Sequence, residues 1–169
     1  MDASADPRAR PGAQPTGAAP GARPRRIVHE IAHELVRVED LRAVRTDLVG
    51  WVRAAAGCPE GPPLEDRLED LATALYEALT NVVDHAYPAG PGPLRVTARL
   101  TIVDGVPAGL PGLPWLEVEV ADRGGWRPAP ADPGHRGRGL LLLSRLTDAH
   151  EVQRGEDGTR VRLWWHRPP

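Results

Sequence analysis

The sequence predicts an α+β fold, namely a two-layer α/β sandwich in which helices cover one face of a mixed, mostly antiparallel sheet. Two observations support this. The later segments form hairpin-like strands that alternate apolar and polar residues, as strands with one solvated face do. The helical segments are largely segregated in the first half of the chain. Strands and helices that are separated in this way favour two packed layers around one core.

The first 24 residues, MDASADPRARPGAQPTGAAPGARP, are mostly Pro, Gly, Ala and Arg. They carry almost no apolar side chains to bury, so residues 1–24 are predicted to be a disordered tail. A basic arm for an acidic partner is the alternative. Residues 25–169 are then expected to form one domain, which is long enough to bury a proper core.

The segment from Ile27 to Val38 fits two structures. Ile27, Ile31 and Leu35 have the spacing of a helix, whereas Val36 and Val38 alternate as in a strand. The residues alone leave both interpretations open.

Two helices are predicted next. Asp40 can cap the first, whose apolar residues recur at helical spacing until Gly57 stops it. Asp66 and Glu69 form a start like a capping box for a longer helix, which Pro88 ends.

The rest of the chain is predicted to be mainly strands. LRVTARLTIV (94–103) and WLEVEVAD (115–122) alternate as half-buried strands do. Residues 123–138 are rich in Pro, Gly and Arg without periodicity, which suggests a functional lid. A short helix is predicted from Gly139. It precedes two strands, around Glu151 and at 159–165, that a GEDG turn joins.

Composition excludes several classes of protein. The net charge of −2 gives no overall basic footprint for nucleic acid. The single cysteine, Cys58, cannot form an internal disulfide, which favours a reducing cytoplasm. The longest apolar run, 140–143, is too short to span a bilayer, and the N-terminus has no signal-peptide core. We therefore expect a cytoplasmic protein without direct nucleic-acid or membrane binding.

The chain contains no lysine, since all 21 of its basic residues are arginine. P-loop enzymes and eukaryotic-type protein kinases both need a lysine on the phosphates. Both classes are excluded. If the protein handles ATP, it does so with arginine, backbone amides and a metal.

One face of the long helix carries an unusual row of side chains. On a helical wheel the apolar residues form the core face: Leu68, Leu71, Ala72, Leu75, Leu79, Val82 and Ala86.

Glu77, Asn81 and His85 lie on the other side of the wheel, beside only Ala74 and Ala78. An ordinary solvated face, the alternative interpretation, usually carries paired long charged chains. Here a carboxylate that can take a proton stands one turn from an amide oxygen that can bind a hard cation.

Four segments resemble one known family. EALTNVVDHAY is similar to the Asn-containing box of the GHKL (histidine kinase-like) ATPases, and the ending HAYP is closest to their RsbW-like branch of anti-sigma factor serine kinases. VADRGGW resembles the adenine-binding Asp-x-Gly box, GHRGRGL the phosphate-binding glycine box, and DGTRVRL the Gly-Thr strand. The four segments stand in the family's order, and the resemblance covers about residues 27–166. It implies a Bergerat-type ATP-binding fold with its first strand in the ambiguous segment at 27–38.

The resemblance also implies roles for individual residues. Glu77 would be the base that acts on the attacking hydroxyl, and Asn81 would hold Mg²⁺. Asp122 would accept a hydrogen bond from the adenine amino group, with Gly124 allowing close approach and Thr159 completing the adenine site.

Phosphate contacts are implied at the glycine box. Gly137 and Gly139 would offer backbone N–H groups to the phosphates at a helix start, where the dipole favours anions. Arg136 and Arg138 would reach the phosphates, although exposed arginines often serve solubility alone. His85 matches the family motif, and a structural role for it is equally open.

The Asp box departs from the family at one position. The family commonly has Asp-x-Gly-x-Gly, and here Trp126 stands in place of the second glycine. Tryptophan does not allow the backbone approach that glycine does, so we expect this departure to affect nucleotide affinity and lid movement.

The function that the resemblance implies is an ATP-binding, Mg²⁺-dependent serine/threonine kinase. It would sequester a sigma factor and phosphorylate a STAS-type anti-anti-sigma partner, with a homodimer as a further expectation. The alternatives are a non-catalytic ATP-dependent binding module and a detached histidine-kinase catalytic domain.

A second motif, HEIAHE at 29–34, matches the HExxH zinc site of peptidases. The longer HExxHxxGxxH pattern fails, because Val36 stands where glycine is needed. If the segment is a strand, His29 and His33 lie about 13 Å apart, which is too far to share one zinc. We therefore expect magnesium rather than zinc.

Overall fold

The computed structural model describes residues 25–56, 60–87, 90–102, 115–125 and 138–167, and for Arg138 it describes the backbone alone. The predicted tail (1–24), Cys58 and most of the predicted lid (126–137) lie outside these residues. The described elements in chain order are β1 (Arg25–Val36), α1 (Val38–Ala55), α2 (Pro62–Asn81), a π-helical turn (Val82–Ala86), β2 (Gly92–Ile102), β3 (Leu116–Asp122), α3 (Arg138–Leu146), β4 (Ala149–Gly155) and β5 (Gly158–Trp165).

The strands form one sheet in the order β1-β2-β3-β5-β4. Every pairing between the described strands is antiparallel. The parallel pairing that a mixed sheet would include is not found among them. One face of the sheet is apolar and packs with the helices, and its central strands bury Val96, Ala98 and Val118 completely. The other face carries charged side chains, such as Glu119 paired with Arg162 at 2.9 Å. The predicted two-layer α+β fold is confirmed.

The ambiguous segment is a strand. β1 pairs with β2 from Arg25↔Ile102 to Val36↔Gly92, with a register shift after His33. Its alternate residues Ile27 and Ile31 are partly buried against the core. Pairing along most of its length supplies backbone hydrogen bonds that a marginal helical stripe cannot match.

The helix boundaries differ from the predicted ones at two starts. α1 begins at Val38, and Asp40 sits at its third position, where Oδ2 accepts the Arg37 N–H at 2.9 Å. α2 begins at Pro62, four residues before the predicted cap at Asp66. The physical reason is that proline is well suited to the first turn of a helix, where its missing N–H would be unpaired anyway.

α2 lies in the centre of the helical layer and buries one long stripe against the sheet. At its C-terminus the helix does not stop but widens into the π-helical turn, which ends at Ala86, just before Tyr87 and Pro88. No helix in the described part of the chain is long and apolar enough to cross a membrane.

Candidate functional site

The site begins in the last turns of α2. Glu77 and Asn81 are one turn apart, and Asn81 is the final residue of α2. His85 follows in the π-helical turn. All three side chains are partly buried, whereas the neighbouring Tyr76 is exposed. Because a π turn spaces residues more widely than an α turn, it changes the direction of His85 relative to an ideal wheel, and such turns are frequent at functional sites.

The carboxylate of Glu77 lies against the start of α3. A β-carbon placed on Gly139 would overlap Glu77 Oε1, so only glycine fits here without movement of the glutamate. The first turn of a helix has unpaired N–H groups and a partial positive charge. Two of the residues that the sequence assigned to the site, Glu77 and Gly139, are therefore brought together.

α3 runs antiparallel to α2. At the far end of the pair, Arg67 on α2 lies 3.5 Å from Asp148, which follows α3. α3 thus covers the flank of α2 that carries Glu77.

This cover corrects the helical-wheel assignment. Ala74 and Ala78, predicted to stand on the site face, have no exposed surface. Ala72, predicted to be in the core, is only partly buried. A helical wheel assumes that a helix is buried on one face only. Because α2 packs against neighbouring elements as well as against the sheet, the wheel misplaces these alanines.

Asp122 ends β3, and its residue is 8 % exposed. Its Oδ1 accepts the Gly124 N–H at 2.8 Å and the Thr159 N–H at 3.2 Å. Burial raises the pKa of this carboxyl, and the two backbone hydrogen bonds act against that rise. Asp122, Gly124 and Thr159, to which the family resemblance assigns one adenine site, therefore meet at one carboxylate oxygen.

Gly124 packs against the end of the helical segment. A β-carbon on Gly124 would overlap the carbonyl oxygen of Ala86. The obstacle is backbone, which cannot rotate away as a side chain can. This contact fixes the distance between the turn after β3 and the helical segment that carries Asn81 and His85.

Gly158 is a site residue that the sequence reasoning missed. It has φ +121°, and a β-carbon there would overlap the carbonyl oxygen of Asp122. Glycine is thus required at position 158 both by the positive φ and by the lack of space for a β-carbon. Gly158 directly precedes Thr159 and so positions it. The signal was present in the letters GEDGT, since the residue just before a strand at the end of a tight turn often needs positive φ.

Tyr87 was also missed, although it is part of the quoted HAY letters. Its hydroxyl donates to the Pro93 carbonyl oxygen at 2.5 Å and accepts the Arg123 N–H at 2.7 Å. A cavity of about 330 Å³ lies beside it, lined by Ala86, Tyr87, Gly90, Pro91, Arg123, Gly124 and Gly125.

Some of the predicted residues cannot be placed. Arg136 and Gly137 lie outside the described residues, as does Trp126, and of Arg138 only the backbone position at the start of α3 is described. Their phosphate and lid roles stay predictions.

The HExxH letters do not lie on a helix, as they do in zinc peptidases. His29 and His33 lie on β1, as the strand interpretation required. His29 Nε2 is 2.8 Å from Asp47 Oδ2, and its ring stacks on Trp51 with centroids 5.1 Å apart. Within the described residues no group of three or more His, Cys, Asp or Glu side chains is arranged to hold a metal ion. His29 therefore serves to attach β1 to α1.

Comparisons with known proteins identify the family of the chain. A model of the histidine kinase-like ATPase domain matches residues 36–165. The crystal structure of the RsbU and RsbW domains of Rv1364c from Mycobacterium tuberculosis is similar, with TM-score 0.56 and 22% identity over 83% of this chain and 33% of that chain. The histidine kinase domain from the Erythrobacter litoralis EL346 blue-light activated histidine kinase aligns with TM-score 0.45 and 19% identity over 75% of this chain and 61% of that chain. No curated protein matches.

The chain thus spans about a third of the length of the M. tuberculosis structure, and at this identity the likeness shows the shared fold alone. The family match covers most of the chain, from the end of β1 to the end of β5. The chain therefore belongs to the histidine kinase-like ATPase domain family.

Proposed function

We propose that this protein is an ATP-dependent serine/threonine kinase that acts as an anti-sigma factor. It sequesters a sigma factor and phosphorylates a serine of a STAS-type anti-anti-sigma partner. The observation that carries the proposal is the position of Glu77, one turn before Asn81 on α2 and against Gly139 at the start of α3. A carboxylate in that place stands between a cation ligand and a phosphate-binding helix start.

Asp122 supplies the nucleotide specificity. Its carboxylate accepts a hydrogen bond from the purine 6-amino group, while Oδ1 is held by the N–H groups of Gly124 and Thr159. A buried, pre-oriented acceptor favours adenine, because a base without a donor at that place would leave the carboxylate unpaired. Gly124 and Gly158 keep the surrounding backbone close enough for the ring to approach.

Asn81 fits Mg²⁺ by the chemistry of its donor. Its amide oxygen is neutral and hard, and magnesium in phosphate-transfer sites is usually held by one or two protein side-chain oxygens together with the substrate phosphates. Bound there, the ion would neutralise developing charge on the phosphates. The N–H groups at the start of α3, and by the sequence prediction Gly137, Arg136 and Arg138, would hold the same phosphates.

In the proposed transfer step the serine oxygen displaces ADP from the γ-phosphorus, and Glu77 accepts the hydroxyl proton. The oxygen of the partner's serine attacks the γ-phosphorus, the bond from that phosphorus to the β-γ bridging oxygen breaks, and ADP leaves. Glu77 accepts the proton of the attacking hydroxyl, which is a poor nucleophile at neutral pH. The product is a phosphoserine on the partner.

The partners are proposed from the family branch. The resemblance of the letters HAYP at 85–88 to the RsbW-like branch supports a sigma factor and a STAS protein as partners. A homodimer and a cytoplasmic location remain expectations of the same proposal.

The test is phosphotransfer to purified STAS candidates with labelled ATP and Mg²⁺, run beside calorimetry of nucleotide binding. The proposal expects acid-stable phosphate on serine in the partner. It also expects Asp122→Ala to weaken ATP by roughly 1.5–3 kcal/mol, the worth of a charge-assisted hydrogen bond. Binding without transfer to any partner would favour the non-catalytic binding module. Acid-labile phosphate on histidine would favour the detached histidine-kinase domain.

A further inference from the structure

Tyr87 connects three segments around the nucleotide site. It follows the π-helical turn directly, and its hydroxyl bonds both to Pro93 in β2 and to Arg123 just after β3. Its ring also fills the space beside Gly92, where a β-carbon would overlap the ring atoms. Both the ring and the hydroxyl are therefore fixed.

The hydrogen bond to Arg123 reaches the turn that carries the nucleotide ligands. The Arg123 N–H is held by Tyr87 at 2.7 Å, and the next N–H, of Gly124, is held by Asp122 Oδ1 at 2.8 Å. Two successive peptide N–H groups thus have fixed partners, one on each side of the turn. Neither bond alone would set both the position of the turn and the direction of the carboxylate.

The surrounding contacts leave this turn little freedom elsewhere. Gly124 is pressed against Ala86, the residue before Tyr87, and Gly158 is pressed against the backbone of Asp122. Burial and the nearby Asp122 charge raise the pKa of Tyr87, so the phenol keeps its proton and can donate to Pro93 over the whole physiological pH range.

From this arrangement we infer that Tyr87 is a positioning residue of the nucleotide site. Its hydroxyl holds the turn from Asp122 to Gly124 and thereby directs the Asp122 carboxylate at the purine amino group. The inference rests on the proposed function, because it takes Asp122 to be the adenine acceptor. Tyr87 itself acts through Arg123 and the turn, not by touching the reacting atoms.

The experiment compares two nucleotides and two tyrosines. The nucleotides are ATP and the triphosphate of purine riboside, which has hydrogen in place of the 6-amino group. Tyr87→Phe removes only the hydroxyl, and Tyr76→Phe is the matched control, since Tyr76 is exposed on α2 under Arg45. The affinity of each variant for each nucleotide is measured by calorimetry.

The wild type and Tyr76→Phe should bind ATP about tenfold or more tighter than the analogue, the ratio that one charge-assisted hydrogen bond gives. Tyr87→Phe should reduce that ratio at least threefold and leave the analogue's affinity within about twofold, because only the amino-group contact depends on the direction of the carboxylate. An unchanged ratio, or an equal loss for both nucleotides, overturns the inference. Wild-type protein that does not prefer ATP refutes the role of Asp122, and the inference fails with it.

A second measurement does not depend on the folding of Tyr87→Phe. The chain has two tyrosines, so in the Tyr76→Phe variant every tyrosine signal comes from Tyr87. With 3-fluorotyrosine incorporated, saturating ATP should shift the ¹⁹F resonance more than the purine riboside analogue does. Equal shifts, or none, would contradict the coupling between Tyr87 and the amino-group contact.

Discussion

Gly139 at the start of α3 lies directly against Oε1 of Glu77 in the last part of α2. This contact joins the two elements that the proposed transfer step needs, a carboxylate that takes a proton and a helix start that binds phosphate. The contact depends on the absence of a side chain at residue 139. The substitution Gly139→Ala, which adds a single methyl group, therefore tests the contact.

Gly139→Ala should impair phosphotransfer more than stability. The added methyl meets the far end of a glutamate side chain, which can rotate away at low cost. The displaced carboxylate then no longer faces the nucleophile, and a misplacement of about 1 Å can cost roughly 10²-fold in rate. We expect the free energy of unfolding, measured with urea, to change by less than about 1 kcal/mol.

The control for this substitution is Gly50→Ala in α1, where nothing lies within 4 Å of the added β-carbon. It should stabilise the protein by up to about 1 kcal/mol through helix propensity and leave the transfer rate unchanged. Equal transfer by wild type and Gly139→Ala would show that the Glu77 contact has no part in the reaction.

Gly124→Ala and Gly125→Ala form a second matched pair. The β-carbon at 124 would overlap the backbone carbonyl of Ala86, whereas at 125 nothing lies within 4 Å. Overpacking against backbone typically costs about 1–3 kcal/mol, so Gly124→Ala should lower the urea midpoint clearly. Gly125→Ala should stay within about 0.5 kcal/mol of wild type. Similar midpoints for the two variants would mean that the turn is not pressed against the helical segment.

Asp122→Asn should make the protein more stable at pH 7 while weakening ATP. Burial raises the folded-state pKa of Asp122 above its ordinary value of 3.8, so the folded protein binds this proton more tightly than the unfolded chain. The stability that the proton contributes is fully present below pH 3.8 and is lost as the pH rises through the raised pKa. Asparagine keeps an oxygen for Gly124 and Thr159 and does not titrate.

The measurement is the difference in urea midpoint between Asp122→Asn and wild type, taken at a series of pH values. It should be smallest below pH 4 and should increase in favour of asparagine toward neutral pH, while ATP affinity falls about 10- to 100-fold. A midpoint difference that does not vary with pH would mean that burial of Asp122 does not shift its pKa.

The fold could be predicted because its signals are local. Alternation identified β2 and β3, and helical spacing identified α1 and α2. β1 could not be assigned from its own residues, since its pairing partner β2 lies more than fifty residues further along the chain. The start of α2 at Pro62 was missed because the capping letters at Asp66 suggested a second, equally plausible start.

The candidate site was predicted as separate residues, not as contacts. Spacing along one helix put Glu77 next to Asn81, but nothing in the letters states that Gly139 closes against Glu77. Tyr87 and Gly158 were overlooked for the same reason, because their roles arise from neighbours distant in sequence. A helical wheel likewise could not show that Ala74 and Ala78 are fully buried in the packed fold.

His29→Ala should reduce stability without removing a metal. His29 loses a hydrogen bond to Asp47 and a stacked contact with Trp51, both at a partly exposed site. We expect a loss of about 0.5–1.5 kcal/mol in the free energy of unfolding, with ATP affinity unchanged. His33→Ala, four residues along the same strand, is the control. Stoichiometric zinc in protein purified without chelator, lost from both variants, would restore the peptidase interpretation of HEIAHE.

Glu77→Gln separates a kinase from a binding module. Glutamine keeps the shape of glutamate and can still pack against Gly139, but it cannot take the proton of the attacking hydroxyl. General-base catalysis is typically worth about 10²–10⁴-fold, so phosphotransfer to the STAS partner should fall by that factor while ATP affinity changes little. Glu69→Gln, an exposed glutamate two turns earlier on α2, should transfer at the wild-type rate.

If Glu77→Gln transfers as fast as wild type, Glu77 is not the base. If wild type binds ATP and transfers no phosphate to its true partner, the kinase proposal fails and a nucleotide-dependent binding module takes its place.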